Sequence, residues 1–200
     1  MRDSTTRDTR LALDLALTIR HDGDGGVADD LTDPAALSTW VQAHRDTLPG
    51  AERLLAYDGC LAAVRDVRTA LRALFAHAVR PARPSPADAT RLLSVPEALR
   101  RLNEAAARTP TVPILTWDEG GDPVLRRRPV PDGADDPAAV LAQAAIGFLT
   151  GPDRERLRAC HAPRCVRYFL KDHPRQEWCK PSCGNRARVA RHHERQRRAG

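Results

Sequence analysis

The sequence predicts an α+β protein, in which a mostly helical N-terminal domain with one small β-hairpin precedes a compact cysteine-rich module. Two observations predict the first part. Long segments carry apolar residues at three- and four-residue spacing, and one pair of alternating β-branched segments flanks a Gly-Gly turn. A third observation predicts the module, because four of the five cysteines lie in the last quarter of the chain. We place the two parts at residues 1–150 and 151–200, since a chain of 200 residues accommodates one domain and a small module.

The N-terminal elements differ in how clearly they are marked. Residues 9–20 place a leucine or isoleucine at nearly every second position, which suits a strand, but their Leu and Ala content favours a helix. Periodicity alone leaves both structures open. Residues 22–30 are rich in Gly and Asp and predict a loop. A helix follows, because Asp33 can accept hydrogen bonds from its first N–H groups and Pro34 suits its first turn.

The longest helical pattern spans residues 61–78, with apolar side chains along one face. The other side is predicted to project three arginines: Arg65, Arg68 and Arg72. Cys60, at the beginning of this helix, is predicted to be a small buried residue rather than a metal ligand. A further helix is predicted to begin near residues 85–88 and to end at Ala107, with an interruption at Pro96.

The pattern changes after Pro110. Residues 111–117 and 124–130 alternate between apolar and polar side chains around the turn at 118–122, which predicts a β-hairpin. Residues 138–149 then predict a helix that continues beyond Gly151-Pro152 as far as the first cysteine of the module.

The clustered cysteines follow the pattern C-x4-C-x13-C-x3-C and are Cys160, Cys165, Cys179 and Cys183. Two close pairs, each on a tight turn or a helix start, can hold one tetrahedral zinc ion through four thiolates. The charged N-terminus predicts no signal peptide, and no apolar run is long enough to span a bilayer. We therefore expect a cytoplasmic protein, in which paired cysteines usually bind metal and do not form disulfides. We predict one structural Zn²⁺, no membrane partner and no enzymatic activity, because four thiolates leave no open position for a catalytic water.

The module itself is predicted to be a treble-clef-like zinc finger. The first cysteine pair forms a knuckle, residues 166–171 and 176–178 form a hairpin, and a final helix carries Cys183 in its first turn. Phe169 and Trp178 are the predicted apolar core of this finger. A module of this size depends on its metal for stability.

The final helix is strongly basic. Residues 151–200 contain 14 Lys+Arg and 5 Asp+Glu, a balance of +9, whereas residues 1–150 have a balance of −3. A stripe of arginines at three- and four-residue spacing follows this helix: Arg188, Arg191, Arg195 and Arg198. Guanidinium groups pair well with phosphates and guanine edges, so we expect DNA as the partner. RNA or the ribosome, and an acidic protein bound to a zinc-stabilised scaffold, are the alternatives.

Residues around the fourth cysteine resemble a known family. Cys183-Gly184-Asn185-Arg186 reads C-G-N-R, and with Trp178-Cys179 before it the segment 155–198 resembles the bacterial CGNR zinc finger. The resemblance implies that the four cysteines bind zinc. It also implies that Gly184, Asn185 and Arg186 shape the helix start and either contact DNA or brace the metal site.

The front of the chain is similar to the ABATE domain, a family described as a "putative stress-induced transcription regulator". Residues 11–18 resemble its L-x-L-D-F-x-N-T opening, residues 31–40 resemble its L-x-x-P-x-x-L-x-x-W stretch, and Leu102-Asn103 fits a later pair. Leu15 and Leu17 stand where the motif has phenylalanine and asparagine. The resemblance implies a nucleoid-associated transcription regulator, whose N-terminal domain senses a signal, dimerises or contacts the transcription machinery.

Overall fold

The structure is a computed structural model, and it describes residues 2–24, 26–48, 58–88, 92–130 and 136–199. The helices within these ranges are α1 (Arg2–Leu17), α2 (Pro34–Ala43), α3 (Asp58–Ala78), α4 (Val95–Ala107), α5 (Pro137–Thr150) and α6 (Pro181–Ala199). The strands are β1 (Ile19–His21), β2 (Val27–Asp29), β3 (Thr111–Thr116), β4 (Val124–Pro129), β5 (Leu157–Ala159) and β6 (Tyr168–Leu170). The sequence predicts that the second helix ends at Pro49-Gly50, but α2 already ends at Ala43; Pro49 and Gly50 themselves lie outside the described residues.

The strands pair in order as three separate antiparallel hairpins, β1 with β2, β3 with β4 and β5 with β6. The fold is therefore mainly helical with short antiparallel hairpins, which confirms the α+β prediction. The predicted hairpin at 111–130 is present, with all six residues of β3 paired with β4.

The first segment is a helix, which settles the ambiguity of its leucine pattern. Leu11 and Leu15 are completely buried at four-residue spacing and face α5, while Leu13 and Leu17 are only half-buried. The alternating leucines therefore lie on two sides of one helix, with Leu11 and Leu15 on the more buried side. Thr18 follows the last turn, and its hydroxyl donates to the Leu15 carbonyl at 2.7 Å.

Three other segments differ from the sequence prediction. Residues 22–30 are more than a loop, because β2 pairs with β1 across them. Pro96 does not interrupt a helix but lies in the first turn of α4, where its missing N–H is harmless and Ser94 is the N-cap. The helix α5 ends at Thr150, and a short 3-10 turn at Pro152–Arg156 leads into a strand rather than a longer helix.

The core lies where α1, α3, α4 and α5 meet. The helix α1 packs on α5, and α3 packs on both α4 and α5. Phe75 is at the centre, with its ring 5.1 Å from that of Phe148 and 5.3 Å from that of Tyr168. Among the described residues, no helix has both the length and the apolar character that a bilayer span requires.

The arginines of α3 are not all on a solvent face, and that prediction was wrong. The side chains of Arg68 and Arg72 are only 6% and 5% exposed. Arg68 donates two hydrogen bonds of 2.5 Å to the Asp29 carboxylate and one of 2.9 Å to the Thr18 hydroxyl. Other elements pack against several sides of α3, so the side chains of Arg68 and Arg72 are buried. Each guanidinium forms an ion pair with a carboxylate.

A partly buried ion pair links α1 to the end of α2. Nε2 of His44 lies 3.3 Å from Oδ2 of Asp14, and the imidazole stacks on the Trp40 ring with centroids 4.0 Å apart. The Asp14 hydrogen bond raises the pKa of His44 above its usual value of 6.5, against a smaller opposing effect of burial. Asp14 therefore forms an internal salt bridge with His44.

This pair predicts a defined pH dependence of stability. Because the folded-state pKa of His44 is raised, its contribution is complete below the unfolded pKa of about 6.5 and is lost as pH rises through the folded pKa. Asp14→Asn should therefore lower the free energy of unfolding at about pH 6 more than at about pH 8, measured by denaturant unfolding. In a His44→Gln background the same substitution should have no pH-dependent effect. An equal loss at both pH values would contradict the assignment.

Candidate metal centre

The first cysteine pair lies at the tip of the β5–β6 hairpin. Cys160 follows β5 directly, and its N–H donates to the Arg167 carbonyl at 2.9 Å. The Cys165 N–H donates to the Ala162 carbonyl at 3.0 Å and closes a four-residue turn, whose third residue, Arg164, has a φ of 59°. The hairpin therefore surrounds the knuckle. Two sequence predictions were therefore wrong. The strand β5, and not a helix, precedes Cys160, and β6 pairs with β5 and not with residues 176–178.

The second pair is built on the start of α6. The Lys180 carbonyl accepts hydrogen bonds from the N–H groups of Cys183, at 3.0 Å, and Gly184, at 3.4 Å. Pro181 occupies the first helical position, where no N–H is needed, and Cys183 follows in the first turn. The positive end of the helix dipole therefore lies beside the sulfur atoms of this pair.

The four sulfur atoms have the geometry of one zinc site. All four Sγ atoms lie within 4.8 Å of one another, with 3.7 Å between Cys165 and Cys179 and 3.5 Å between Cys179 and Cys183. A tetrahedral ion with Zn–S bonds of about 2.3 Å separates its ligands by roughly 3.8 Å, so the cluster fits. None of the five cysteines forms a disulfide. Cys60 lies in the main core, 3% exposed, as predicted.

The electrostatics of the cluster call for a cation. Hydrogen bonds from the thiols of Cys165 and Cys179 lower the pKa of Cys160 to about 2. The hydrogen bond between Cys165 and Cys160 raises the pKa of Cys165 to about 11. The hydrogen bond between Cys179 and Cys160 is the largest cause of the raised pKa of Cys179. Four thiolates this close together repel one another and can all form only beside a cation. A bound Zn²⁺ would supply that positive charge, and the four cysteines are the ligand set for one structural zinc ion.

Arg186 braces the cluster. Its Nη2 lies 3.1 Å from Sγ of Cys183, and its Nε donates to the Pro163 carbonyl at 3.0 Å. One side chain on α6 therefore joins the second ligand pair to the turn that carries the first. The guanidinium also places a positive charge beside a sulfur that carries negative charge when metal is bound. Of the two roles that the sequence left open for Arg186, this contact favours bracing.

A small apolar cluster surrounds the sulfurs. Phe169 is buried against the cysteines, and Trp178 packs on the same cluster, which confirms the predicted core of the finger. Gly184 lies directly under Trp178, because a Cβ at position 184 would be only 3.0 Å from the indole Cδ1. A side chain here would push the indole away from the ligands, which explains the glycine of the C-G-N-R sequence.

The hairpin that holds the first ligand pair is also part of the main core. Tyr168 is 1% exposed, and its hydroxyl donates to Asp88 Oδ2 at 2.7 Å. Arg72 binds both oxygens of the same carboxylate at 2.9 Å, and its guanidinium carbon lies 5.3 Å from the centre of the Tyr168 ring. Burial and the Asp88 charge raise the pKa of Tyr168, so the phenol stays protonated. The Ser85 hydroxyl adds a 2.8 Å hydrogen bond to the Val166 carbonyl.

This contact between the two parts of the chain is not predicted from the sequence. The sequence signal for the contact is Tyr168 in β6. The hydroxyl of a buried tyrosine usually needs a hydrogen-bond partner, so this residue points to a polar group in the core. We name this group the docking network: Arg72, Ser85, Asp88, Val166 and Tyr168.

The predicted arginine stripe lies on the exposed length of α6. From residue 191 to 198 every described side chain is exposed, and Arg188 is exposed as well. The side chains of Arg188, Arg191 and Arg195 contact no carboxylate among the described residues; Arg188 donates to Asn185 Oδ1 at 3.2 Å. Arg198 pairs with Glu194 at 2.5 Å, but both side chains are more than half exposed. An exposed pair of this kind contributes little and opens readily.

Comparison with known families agrees with these features. Residues 9–152 match ABATE, a family described as "Putative stress-induced transcription regulator". The chain belongs to the ABATE family. Residues 156–196 match the CGNR zinc finger, so the ABATE domain and the finger follow in the order that the sequence resemblance gave. Neither is an enzyme family. No curated protein matches the chain significantly.

The residues of the ABATE opening motif are internal in this chain. Leu15, in place of the motif's phenylalanine, is completely buried, and Leu17, in place of its asparagine, is half-buried. Asp14 pairs with His44, and the Thr18 hydroxyl accepts from Arg68 while donating to the Leu15 carbonyl. These polar groups therefore stabilise the fold, and their hydrogen bonds are made within the protein.

Proposed function

We propose that this chain is a zinc-dependent transcription regulator that binds DNA through its C-terminal finger. The observation that carries the proposal is the exposed arginine stripe on a helix whose first turn is fixed by the metal ligands. The stripe offers guanidinium groups without competing carboxylates at three of its four positions. A zinc-anchored helix with exposed basic side chains has the shape and charge to enter a major groove.

Asn185 and Arg198 complete the proposed contact surface at the two ends of the stripe. Asn185 is exposed near the start of α6, where its amide can reach a base edge or phosphate once Arg188 turns to DNA. Arg186 supports this surface indirectly, because it fixes the helix start to the metal cluster.

We propose that residues 1–150 form the regulatory domain and that residues 151–200 form the DNA-binding finger, acting in the cytoplasm on the nucleoid. The N-terminal domain senses a signal or mediates interactions, including contact with the transcription machinery. Catalysis has no part in this proposal. A single finger makes few contacts, so specific binding calls for a second copy or a partner.

Removing the stripe tests the proposal quantitatively. The triple variant Arg188→Ala, Arg191→Ala and Arg195→Ala should bind duplex DNA more weakly and reduce the slope of log K against log salt. The slope should fall by about 2.7 if each arginine neutralises one phosphate. Fluorescence anisotropy over a salt series measures this directly, with zinc content as the test of folding.

A matched control removes the same charge elsewhere. Arg7, Arg10 and Arg45 are exposed and lie in the N-terminal domain, so their replacement by alanine should leave the slope unchanged. An unchanged slope in the stripe variant would show that α6 is not the contact surface. Tighter binding to an RNA duplex than to a DNA duplex of equal sequence would instead support the RNA-associated alternative.

A further inference from the structure

A groove lies where the end of α3 meets the segment that leads into the finger. Its volume is about 530 Å³, which is within the usual range for pockets that hold small ligands. One wall is formed by residues 78–82, which continue from the last turn of α3. The other wall is formed by Arg154 and Glu155 of the 3-10 turn and by Arg158 of β5. The groove therefore has one wall from each part of the chain.

Three arginines line this groove: Arg80, Arg154 and Arg158. All three are exposed, and none of them forms an ion pair within the described part of the chain. Nη1 of Arg158 donates to the backbone carbonyls of Glu155, at 2.8 Å, and Leu157, at 2.7 Å, which holds this guanidinium in place. The arginines therefore converge on one cavity from two segments and keep donors that no carboxylate uses.

The groove has an excess of positive charge. Glu155 is the only acidic residue that lines it, so the three arginines and one glutamate give a formal charge of +2. The neighbouring carboxylates of Asp153 and Asp172 pair with Arg156, which does not line the groove. An anion is the ligand that this arrangement of charges favours.

The rest of the lining is apolar and comes from Ala78, Val79, Pro81 and Ala82. Backbone carbonyls at the end of a helix repel an anion. Here the His77 carbonyl accepts from the Arg80 N–H at 3.2 Å, and the Val79 carbonyl accepts from the N–H of residue 82 at 3.0 Å. These hydrogen bonds reduce the repulsion. The groove therefore suits a ligand with a negatively charged group and an apolar part.

We propose that this groove binds a small phosphorylated molecule, whose phosphate is held by the arginines and whose apolar part lies against the alanine and proline side chains. Guanidinium groups pair bidentately with phosphate, and arginine is better suited than lysine to this recognition. The inference rests on the proposed function, in which the N-terminal domain senses a signal, and it assigns the chemical class of that signal. The backbone of duplex DNA fits less well, because the apolar half of the lining has no counterpart in a row of hydrated phosphates.

Both walls of the groove lead to residues that hold the finger. Ala82 lies three residues before Ser85, whose hydroxyl donates to the Val166 carbonyl in the docking network at 2.8 Å. Arg158 lies two residues before Cys160, the first metal ligand. A ligand that joins the two walls therefore stabilises the docked finger, and its binding should slow the loss of zinc to a chelator.

An NMR titration of the full-length, zinc-loaded protein with phenyl phosphate tests the proposal. This probe joins one phosphate to one apolar ring, and the amide signals of residues 78–82 and 154–158 should shift along one saturation curve. Benzoate should bind more weakly, because it carries one negative charge and a phosphate monoester carries about 1.5 to 2 at pH 7. Arg80→Ala and Arg154→Ala should each weaken phenyl phosphate binding about tenfold, as expected when a charged hydrogen bond is lost.

Two further variants keep the test specific to the groove. Glu155→Gln should strengthen phenyl phosphate binding, because it removes a negative charge that repels the phosphate. Arg175→Ala should leave the affinity unchanged, since Arg175 is exposed in the finger and does not line the groove. Zinc content, measured for every variant, shows that the finger is folded.

Absence of shifts at millimolar phenyl phosphate would overturn the proposal, as would equal weakening by Arg175→Ala or tighter binding of benzoate. If Arg80→Ala and Arg154→Ala instead lowered the salt slope of DNA binding, and phenyl phosphate did not bind, the groove would be a DNA contact and the proposal would fail. The stripe variant of α6 separates this inference from the proposed function. Phenyl phosphate binding together with an unchanged DNA slope in the stripe variant would support the groove and refute the DNA interface.

Discussion

Cys183→Ser should abolish stoichiometric zinc binding and lower the melting temperature of the whole chain. Cys183 is completely buried, and a serine hydroxyl does not ionise to replace its thiolate. Changes outside the ligand set alone weaken metal binding by about 10–100-fold, so loss of a ligand should exceed that range. Zinc per chain after dialysis against a weak chelator measures the first effect, and circular dichroism during heating measures the second.

The fifth cysteine provides the control. Cys60 is buried in the main core on α3, so Cys60→Ala should retain one zinc per chain with at most a small loss of stability. The helical part should respond to Cys183→Ser because Leu157, Ala159 and Tyr168 of the finger belong to its hydrophobic core. One zinc per chain in the serine variant would refute the four-thiolate assignment.

Asp88→Asn should lower the free energy of unfolding by about 3–5 kcal/mol, which is the usual effect of breaking a buried ion pair. The substitution keeps the size of the side chain but leaves the Arg72 guanidinium buried without its countercharge. It also removes the charged acceptor of the Tyr168 hydroxyl. Denaturant unfolding measures the loss.

An exposed ion pair is the matched control for this substitution. Glu104 pairs with Arg100 at 2.7 Å on the surface of α4, with both side chains more than half exposed. Glu104→Gln should therefore change the free energy of unfolding by less than about 1 kcal/mol. Similar losses in the two variants would show that the docking network contributes no more than a surface pair.

Local features of the fold and the metal centre could be predicted from the sequence. The four ligands were identified because their spacing is set by two short turns, each contained in a few residues. The hairpin at 111–130 was identified because six paired residues give a clear alternation. By contrast, β1 and β2 have three residues each, too few for a periodic signal.

Long-range contacts explain what the sequence could not predict. The hydroxyl of Tyr168 reaches Asp88 across 80 residues, and Ser85 reaches Val166 across 81. The misplacement of Arg68 and Arg72 has a related cause. A helical wheel assigns one buried face, but α3 is contacted by α1, α4 and α5, so its polar stripe is also enclosed.

Metal binding and folding of the helical domain are coupled, because both involve the β5–β6 hairpin. One of its ends positions Cys160 and Cys165, and Tyr168 in the same hairpin is held by Asp88 and Arg72. A molecule that stabilised the helical domain in this docked arrangement would tighten zinc binding, and zinc would tighten the binding of that molecule by the same factor. The orientation of α6, and therefore of any surface it presents, is a thermodynamic property of the entire chain.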